Sequence, residues 1–222
     1  MFIIGITGGS ASGKTLACHK LFEKLVKRGK NVSVMSEDNF YYGLPDGMSS
    51  ENYDFDSPEA IDFKSIYESI NKLKNEEKDI EIPTYNFGIH KTDGTTTIKF
   101  CDVLIVEGIL LFTDKKLSEL FDLKIYVNAS PEIRLIRRIQ RDMLERGRDL
   151  DSIFKAYLKF VKPSYDKYIS PTKSDADIVI NNDSNDGDHH LSSKVNIIVS
   201  HVMLREKDYI SDEDDLQELI IL

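Results

Sequence analysis

Residues 2–15, which read FIIGITGGSASGKT, carry the clearest structural signal in the chain. The first part of this stretch, FIIGI at residues 2–6, is a continuous apolar and β-branched run that predicts a buried strand. Residues 8–15, GGSASGKT, match the pattern GxxxxGK followed by Ser or Thr. Apolar residues recur at helical spacing from Lys14 onward, and Gly29 marks the end of that helix. A strand, a glycine-rich loop and a helix in this order predict a nucleoside triphosphate site.

Each residue type in this loop suits phosphate chemistry. Glycines let the backbone wrap the phosphates and turn its N–H groups inward, and the helix N-terminus adds positive potential. Lys14 is expected to reach the β- and γ-phosphates, and Thr15 is expected to bind Mg²⁺. The sequence therefore predicts ATP or GTP as phosphoryl donor and Mg²⁺ as cofactor. The residues assigned to the donor in this loop are Gly8, Gly9, Ser10, Ala11, Ser12, Gly13, Lys14 and Thr15.

The rest of the chain alternates between strand and helix patterns. Strands are predicted at 31–35, 103–107, 123–127 and 177–180, and helices from about Pro58 and at 131–146, 149–161 and 191–205. This alternation predicts an α/β fold, a P-loop NTPase-type parallel sheet flanked by helices. Two β-rich pieces between residues 80 and 100 surround the turn signal Asp93-Gly94 and predict an inserted hairpin.

Composition excludes several classes of function. The chain has 222 residues and a net charge of −9, from 29 basic and 38 acidic residues, which argues against nucleic acid or an anionic membrane as partner. Only Cys18 and Cys101 are present, so no disulfide framework or structural zinc site is implied. The longest apolar run, 103–112, is too short to span a bilayer, and no targeting segment is visible. A cytoplasmic location is predicted.

Two carboxylates follow predicted strands and are candidates for the active site. Glu107 closes the apolar run VLIV, at the edge of a parallel sheet where ligands gather. It is a candidate Mg²⁺ ligand, although a carboxylate there could merely cap the strand. Asp38 lies just past the second strand and would face the same crevice, where it could accept a proton from a hydroxyl group or help to hold Mg²⁺. Taken alone, Asp38 could also be a turn former.

An arginine cluster stands out in this acidic chain. Six of its eight arginines fall within 15 residues, at positions 134, 137, 138, 141, 146 and 148. On a helix, Arg134, Arg138 and Arg141 share one face. A core stripe is expected of Ile133, Ile136, Ile139 and Met143. The basic face suits an arginine-rich helical lid over phosphates at about 134–150, with Gly147 as hinge, or else a solvated face paired with Asp142 and Glu145.

Together these stretches resemble the uridine kinase (uridine-cytidine kinase) family, and the resemblance runs from about residue 2 to 180. The matching stretches are GGSASGKT at 8–15, SEDNFYYGL at 36–44, NYDFDSPEAID at 52–62, IPTYNFGIH at 82–90, VEGIL at 106–110, RLIRRIQRDMLERGRDL at 134–150 and FVKPSYDKYISPTKSDADIVI at 160–180. The resemblance implies phosphorylation of uridine and cytidine at the ribose 5′-hydroxyl for pyrimidine salvage. It also implies a homo-oligomer, a tetramer.

The resemblance also implies roles for single residues. Asp38 would be the catalytic carboxylate that activates the 5′-hydroxyl, helped by Lys14, and Asp56 would hold the ribose 2′- and 3′-hydroxyls. Tyr41 would lie beside Asp38 in the substrate pocket. The hairpin would bring Tyr85, Phe87 and His90 to the pyrimidine, Arg138 and Arg148 would join the nucleoside site, and Arg141 and Arg146 the phosphates. Asp38, Thr15 and Glu107 would form the metal site.

The pattern departs from the family at Asn39, where serine is common, at Ala156, where glutamine is usual, and at Asn181-Asn182-Asp183, where a Pro- and Gly-containing turn is expected. Residues 1–182 are interpreted as a P-loop kinase domain, and 183–222 as a helical segment and acidic tail packed on it. A related kinase of the phosphoribulokinase, pantothenate kinase or nicotinamide riboside kinase type is an alternative. A GTP-binding switch is a remote one, since residues 172–175 (TKSD) match a guanine signature but precede the last strand.

Overall fold

The computed structural model describes residues 1–76, 78–183 and 191–205. The strands are β1 (Phe2–Thr7), β2 (Val32–Ser36), β3 (Ile80–Asn86), β4 (Lys91–Ile98), β5 (Val103–Glu107), β6 (Leu123–Asn128) and β7 (Ile178–Asn181). The helices are α1 (Lys14–Lys27), α2 (Phe63–Glu76), α3 (Lys115–Ser118), α4 (Pro131–Leu144), α5 (Leu150–Ala156), α6 (Lys162–Ser164) and α7 (residues 191–205). Short 3₁₀ segments lie at Glu37–Phe40, Ser50–Asn52, Pro58–Ala60 and Ser170–Asp175, and π-helical segments at Tyr157–Val161 and Tyr165–Ile169.

A five-stranded parallel sheet organises the molecule, in the order β2-β5-β1-β6-β7. The α/β parallel architecture predicted from the sequence is therefore confirmed. In the register of the sheet, Ile6 of β1 and Ser36 of β2 both lie opposite Glu107 of β5. The carboxyl ends of these three strands thus meet at one edge, the position at which ligands bind in parallel sheets.

Side chains that alternate along the strands fill a core on each face of the sheet. Ile3 and Leu104 belong to the core that α2 and the base of the hairpin cover. Ile4 and Ile105 belong to the core that α1 and α7 cover. Burial on both faces explains why β1 and β5 are continuous apolar runs rather than alternating ones. The strand ends that carry the site loops therefore rest on a sheet that is packed on both faces.

The inserted hairpin is present, but its predicted turn is wrong. Strands β3 and β4 pair antiparallel, and the connecting turn lies at 87–90 instead of Asp93-Gly94. Asp93 and Gly94 lie within β4, at a register shift opposite Pro83–Tyr85. Gly94 has a φ of +88°, which suits a β-bulge as well as a turn. The Asp93-Gly94 pair, which the sequence predicts as the hairpin turn, therefore forms a β-bulge within β4.

Helix α4 also departs from the prediction, because its buried face is polar. Arg134, Arg138 and Asp142 are buried, whereas Ile136 is 53% exposed and Met143 is 47% exposed. The predicted apolar core stripe is therefore wrong at these two positions. The reason is that the inner face of α4 looks onto the phosphate loop and the site cavity, so burial there selects charged groups with partners instead of apolar ones.

Several element boundaries shifted as well. The helix predicted from Pro58 begins at Phe63, because residues 58–60 form a 3₁₀ turn and Ile61 makes an extended bridge with Tyr41. The helix predicted at 149–161 runs on through π-helical turns to Ile169. Within the described ranges, no helix is long and apolar enough to cross a membrane. The acidic C-terminal tail and the histidines at 189 and 190 lie outside the described residues.

Candidate active site

The phosphate loop is held in a conformation that only its own residue types allow. Gly8 and Gly13 have φ values of +149° and +96°, and α1 begins directly afterwards at Lys14. A β-carbon at Gly8 would lie 2.2 Å from the carbonyl oxygen of Val127. The Ser12 N–H donates to the Gly9 carbonyl at 3.0 Å and closes the loop. The free N–H groups at the start of α1 are the anion-binding feature that the sequence predicted.

The segment after β7 anchors this loop from the side. The Asn182 amide Nδ2 donates to the Ser12 carbonyl at 2.8 Å, and its backbone N–H donates to the Asn128 carbonyl at 2.7 Å. A β-carbon at Gly13 would lie 2.3 Å from Asn182 Nδ2, so the contact is close. Sequence reasoning treated residues 181–183 as a departure from the family. No local pattern signalled that Asn182 contacts the phosphate loop.

The predicted metal ligands Thr15 and Glu107 lie together at the sheet edge. The Thr15 hydroxyl donates to Glu107 Oε2 at 3.4 Å, and the Ser36 hydroxyl donates to Glu107 Oε1 at 3.3 Å. The Asp38 N–H in turn donates to Ser36 Oγ at 3.3 Å. Hydroxyl and carboxylate oxygens are the ligands that Mg²⁺ prefers, and it takes few of them from protein when phosphates supply the rest. This donor set fits Mg²⁺.

Two adjacent carboxylates follow β2 and have different surroundings. Glu37 is fully buried, and its Oε1 accepts from the backbone N–H groups of Ile109 and Leu110 at 3.1 Å. Burial, and next the charge of Asp38, raise the pKa of Glu37 well above its usual range. Burial also raises the pKa of Asp38, while the Lys14 charge opposes that shift. Sequence analysis found Asp38 but missed Glu37, which ties the loop after β5 to the loop after β2.

One cavity at this edge of the sheet gathers most of the predicted residues. The predicted residues that line it are Lys14, Asp38, Tyr41, Asp56, Phe87, His90, Arg138, Arg141, Arg146 and Arg148, and Ser10 of the phosphate loop joins them. Tyr85 contacts it through Tyr41, since their ring centroids are 5.1 Å apart. Residues 134–148 and 85–90 are far apart in sequence, so the fold alone brings them to one place.

Aromatic rings form one end of this cavity. The imidazole of His90 stacks on Phe55, with ring centroids 5.0 Å apart and an interplanar angle of 25°. Burial, followed by the charge of Arg148, lowers the pKa of His90, which favours the neutral ring. Phe55 also meets Tyr41 edge-on at 6.0 Å. Sequence reasoning did not single out Phe55, because an aromatic residue in a loop has many ordinary explanations.

Polar atoms at the same end are buried and have no partner among the described residues. These atoms are Asp56 Oδ2 and the hydroxyl of Tyr85. Burial raises the pKa of Asp56 above its usual range and the pKa of Tyr85 to about 12. Asp54 supports this loop, because it accepts from the Asp56 N–H at 3.0 Å and from the Ser164 hydroxyl at 2.6 Å. Buried polar groups are normally paired, so two orphans beside one cavity point to a ligand that pairs them.

Arginines of the predicted lid also line this cavity. Arg138 donates from Nη1 to the Ser10 hydroxyl at 2.9 Å, which links α4 to the phosphate loop. Arg146 lies over the ring of Phe87, 5.3 Å from its centroid, and so links the lid to the hairpin. Arg134 is buried away from the cavity, where it lies 3.6 Å from the centroid of Tyr165 and donates to the Ala129 carbonyl at 3.1 Å. Of the three arginines predicted on one face, Arg138 and Arg141 line the cavity.

Comparison with known proteins identifies the family. The model of the phosphoribulokinase / uridine kinase family matches residues 3–186, which is most of the chain. The chain belongs to this family. Uridine-cytidine kinase B of Dictyostelium discoideum is 43% identical over 182 residues, which cover 81% of this chain and 74% of that protein. The chloroplastic uridine/cytidine kinase UKL1 of Arabidopsis thaliana is 39% identical over 205 residues, which cover 90% of this chain but 41% of that one. The chain thus spans less than half of that longer relative.

Solved structures of family members share the fold at lower identity. Phosphoribulokinase from Rhodobacter spheroides superimposes with a TM-score of 0.62 and 19% identity, over 81% of this chain and 69% of that one. At this identity the likeness concerns the fold alone. The likeness agrees with the parallel sheet described above. The acceptor substrate has to be inferred from the residues that line the cavity.

Proposed function

We propose that the chain transfers the γ-phosphoryl group of ATP or GTP to the 5′-hydroxyl of uridine and cytidine, giving UMP and CMP. The observation that carries the proposal is the single cavity in which Lys14 and Asp38 meet the unpaired carboxylate oxygen of Asp56 and the stacked rings of Phe55 and His90. The family relatives that are 39–43% identical carry uridine or cytidine kinase in their names, which supports this acceptor.

Asp38 is the base of the proposed reaction. It lines the cavity beside Lys14, and burial raises its pKa above that of an ordinary aspartate. A carboxylate with a raised pKa is a better proton acceptor near neutral pH. Asp38 therefore takes the proton of the 5′-hydroxyl while the oxygen attacks the γ-phosphorus, and the β–γ bridging oxygen leaves with the nucleoside diphosphate, ADP or GDP. Charge neutralisation along this path falls to Lys14, Arg141 and Arg146.

Mg²⁺ fits the oxygen ligands of Thr15 and Glu107. Asp38 is the third expected ligand, and its backbone N–H is hydrogen-bonded to Ser36 of the same group. When bound, the ion would neutralise phosphate charge and orient the β- and γ-phosphates. The protein itself supplies the rest. The Gly8–Thr15 loop donates N–H groups to the phosphates, and Arg138 braces that loop through Ser10.

The acceptor end selects a ribonucleoside by pairing its polar groups. A carboxylate only accepts hydrogen bonds, so the free Oδ2 of Asp56 suits the 2′- and 3′-hydroxyls of ribose. The hydroxyl of Tyr85 and the neutral imidazole of His90 suit the edge of a pyrimidine, and Tyr41 and Phe87 give its faces apolar contact. Arg138 and Arg148 complete the nucleoside site.

The proposal also includes the domain organisation of the chain and its assembly. Residues 1–182 form the kinase domain. The described helix α7 of the following segment packs on α1 of this domain through Lys24 and Asn196 and through a shared apolar core, which supports one unit. A homo-tetramer remains the expected assembly, and light scattering of the purified chain tests it.

A panel of acceptors tests the proposal. Mg²⁺-dependent transfer from ATP is measured with uridine, cytidine, 2′-deoxyuridine, adenosine, ribulose 5-phosphate, pantothenate and nicotinamide riboside. We expect turnover with uridine and cytidine at least tenfold above every other acceptor. Turnover confined to ribulose 5-phosphate or another non-pyrimidine acceptor would keep the phosphate site and overturn the acceptor assignment. Nucleotide binding without transfer to any acceptor would favour the switch.

A further inference from the structure

One fully buried carboxylate lies at the centre of the arginine wall. Asp142 of α4 has no exposed surface, and four arginines that line the cavity approach it. Arg141 Nη2 lies 2.8 Å from Asp142 Oδ1 and Arg138 Nε lies 3.5 Å from Oδ2. Arg146 Nη1 lies 3.7 Å from Oδ1 and Arg148 Nη1 lies 3.9 Å from Oδ2. The sequence alone predicts Asp142 as an ion-pair partner on a solvated helix face.

The four contacts are unequal. Arg141 is held firmly, because its Nε also donates to Asp142 Oδ1 at 2.9 Å. The Oδ2 atom has no hydrogen-bond partner among the described residues, although Arg138 and Arg148 surround it. The two distant guanidinium groups, Arg146 and Arg148, are also the most exposed of the four, at 35% each. The Asp142 carboxylate therefore fixes the guanidinium group of Arg141 and holds those of Arg146 and Arg148 loosely.

Four guanidinium groups around one cavity repel each other without a counter-charge. Neighbouring arginines lower the pKa of Arg146, after the larger effect of burial, while Asp142 raises it. The backbone acts in the same direction as the side chain, because the Arg148 N–H donates to the Asp142 carbonyl at 3.0 Å. Residue 142 thus holds both the helix arginines and the loop that follows Gly147, whose φ is +62°.

We propose that Asp142 is a positioning residue that holds Arg138, Arg141, Arg146 and Arg148 in the directions that phosphoryl transfer needs. It touches no substrate and acts through the arginines. In the free protein it offsets part of their repulsion, and its weak contacts leave the Arg146 guanidinium able to turn toward a phosphate and that of Arg148 able to turn toward the nucleoside. This inference rests on the proposed function for its readout of turnover.

A double-mutant cycle tests the coupling directly. D142N keeps the shape of the side chain and removes its charge, and D151N is the matched control, because Asp151 is exposed and pairs only with Lys155 in the described contacts. We expect D142N to lower kcat for uridine at least tenfold and D151N to leave it within twofold. In the R146A background we expect D142N to lower kcat by a smaller factor than in wild type, because Arg146 is one of the four arginines through which Asp142 acts.

Fully multiplicative losses in the D142N/R146A double variant would contradict the inference, and so would a D142N enzyme within twofold of wild type. A merely structural role would lower the fraction of folded enzyme without producing this coupling, so kcat is expressed per ATP site counted by calorimetry. If D142N does not fold, D142E keeps the charge. Activity of D142E within tenfold of wild type supports the inference, and a loss above a hundredfold opposes it.

The same double-mutant cycle can be measured on the binding of inorganic tripolyphosphate, which requires no acceptor substrate. We expect the change in affinity caused by D142N to shrink at least threefold when residue 146 is alanine. A wild-type enzyme that transfers nothing to uridine defeats the proposed function alone. Independent effects of D142N and R146A on tripolyphosphate binding defeat the inference alone.

Discussion

The two ends of the cavity are built in different ways. The phosphate end is one contiguous segment, residues 8–15, whose shape comes from its own glycines and from the start of α1. The acceptor end is assembled from loops that lie up to about 90 residues apart in the sequence, including those of Asp56, His90 and Arg148. Local backbone geometry therefore fixes where the donor lies, whereas long-range packing fixes what it can phosphorylate.

This difference predicts where each substitution acts. Changes at the phosphate end should alter donor binding and stability together, because loop shape and fold depend on the same residues. Changes at the acceptor end should alter substrate choice with little effect on ATP. Asp38 lies between the two ends, so its substitution should lower turnover with little effect on ATP binding.

The largest effect is expected from D38N. Loss of the proton acceptor should lower kcat for uridine by about 10²- to 10⁴-fold. The affinity for ATP should stay within about twofold, since the phosphate loop is unchanged. Steady-state kinetics and calorimetric ATP titration measure the two quantities, and a kcat within twofold of wild type would exclude general-base assistance.

The next largest effect is expected from G8A at the phosphate end. The new β-carbon would lie 2.2 Å from the Val127 carbonyl oxygen at a φ of +149°, so the loop must distort. We expect a loss of about 1–3 kcal/mol in the free energy of unfolding and at least tenfold weaker ATP binding. G29A is the control, because Gly29 also has a positive φ but nothing within 4 Å. An ATP affinity equal in both variants would contradict the account.

A smaller and more selective effect is expected from Y85F at the acceptor end. The buried Tyr85 hydroxyl has no partner in the described residues, so its removal should cost only the hydrogen bond to the nucleoside. Loss of this hydrogen bond should lower kcat/KM for uridine by about 3- to 10-fold and leave the KM for ATP unchanged. Y42F is the control, since Tyr42 is 64% exposed. Equal losses in both variants would remove Tyr85 from the site.

The smallest effect has the opposite sign and concerns stability. Because burial raises the pKa of Asp38 in the folded state, ionised Asp38 destabilises the protein at neutral pH. D38N should therefore have the higher Tm at pH 7.5, by about 2–4 °C for each kcal/mol regained. The difference should shrink as the pH falls through the raised pKa toward about 3.9, the value in the unfolded chain.

Thermal unfolding of wild type and D38N between pH 4.5 and 7.5 measures this difference. D46N at an exposed loop position is the control and should follow wild type. A D38N variant that is less stable than wild type at pH 7.5 would mean that the Lys14 charge outweighs burial at Asp38.

The sequence predicted the fold well because its strongest signals are local. The buried strands β1 and β5 and the Gly8–Thr15 loop each carry their pattern within a few residues. The turn at 87–90 escaped prediction because its positive φ, +52°, falls on His90 and not on Gly88, while the stronger turn pair Asp93-Gly94 lies inside a strand. The inverted face of α4 escaped because hydrophobic periodicity assumes that buried means apolar.

The residues of the site also differ in whether a local sequence pattern reveals them. Lys14 and Asp38 could be found from short motifs. Glu37, Asp142 and Asn182 could not, since their importance lies in partners that are distant along the chain or in helix contacts that look like surface ion pairs. Burial of a charge is a property of the folded protein, and no single sequence shows it directly.

The most direct test of the account is the ratio of kcat/KM for uridine to that for 2′-deoxyuridine, in wild type and in D56A. A hydrogen bond to a charged group contributes about 1.5–3 kcal/mol, so wild type should prefer uridine by at least tenfold. D56A should bring the ratio to within about threefold and leave the KM for ATP unchanged, while D46A retains the wild-type ratio. A ratio in D56A equal to that of wild type would contradict the assignment of Asp56 to the ribose and with it the proposed acceptor end.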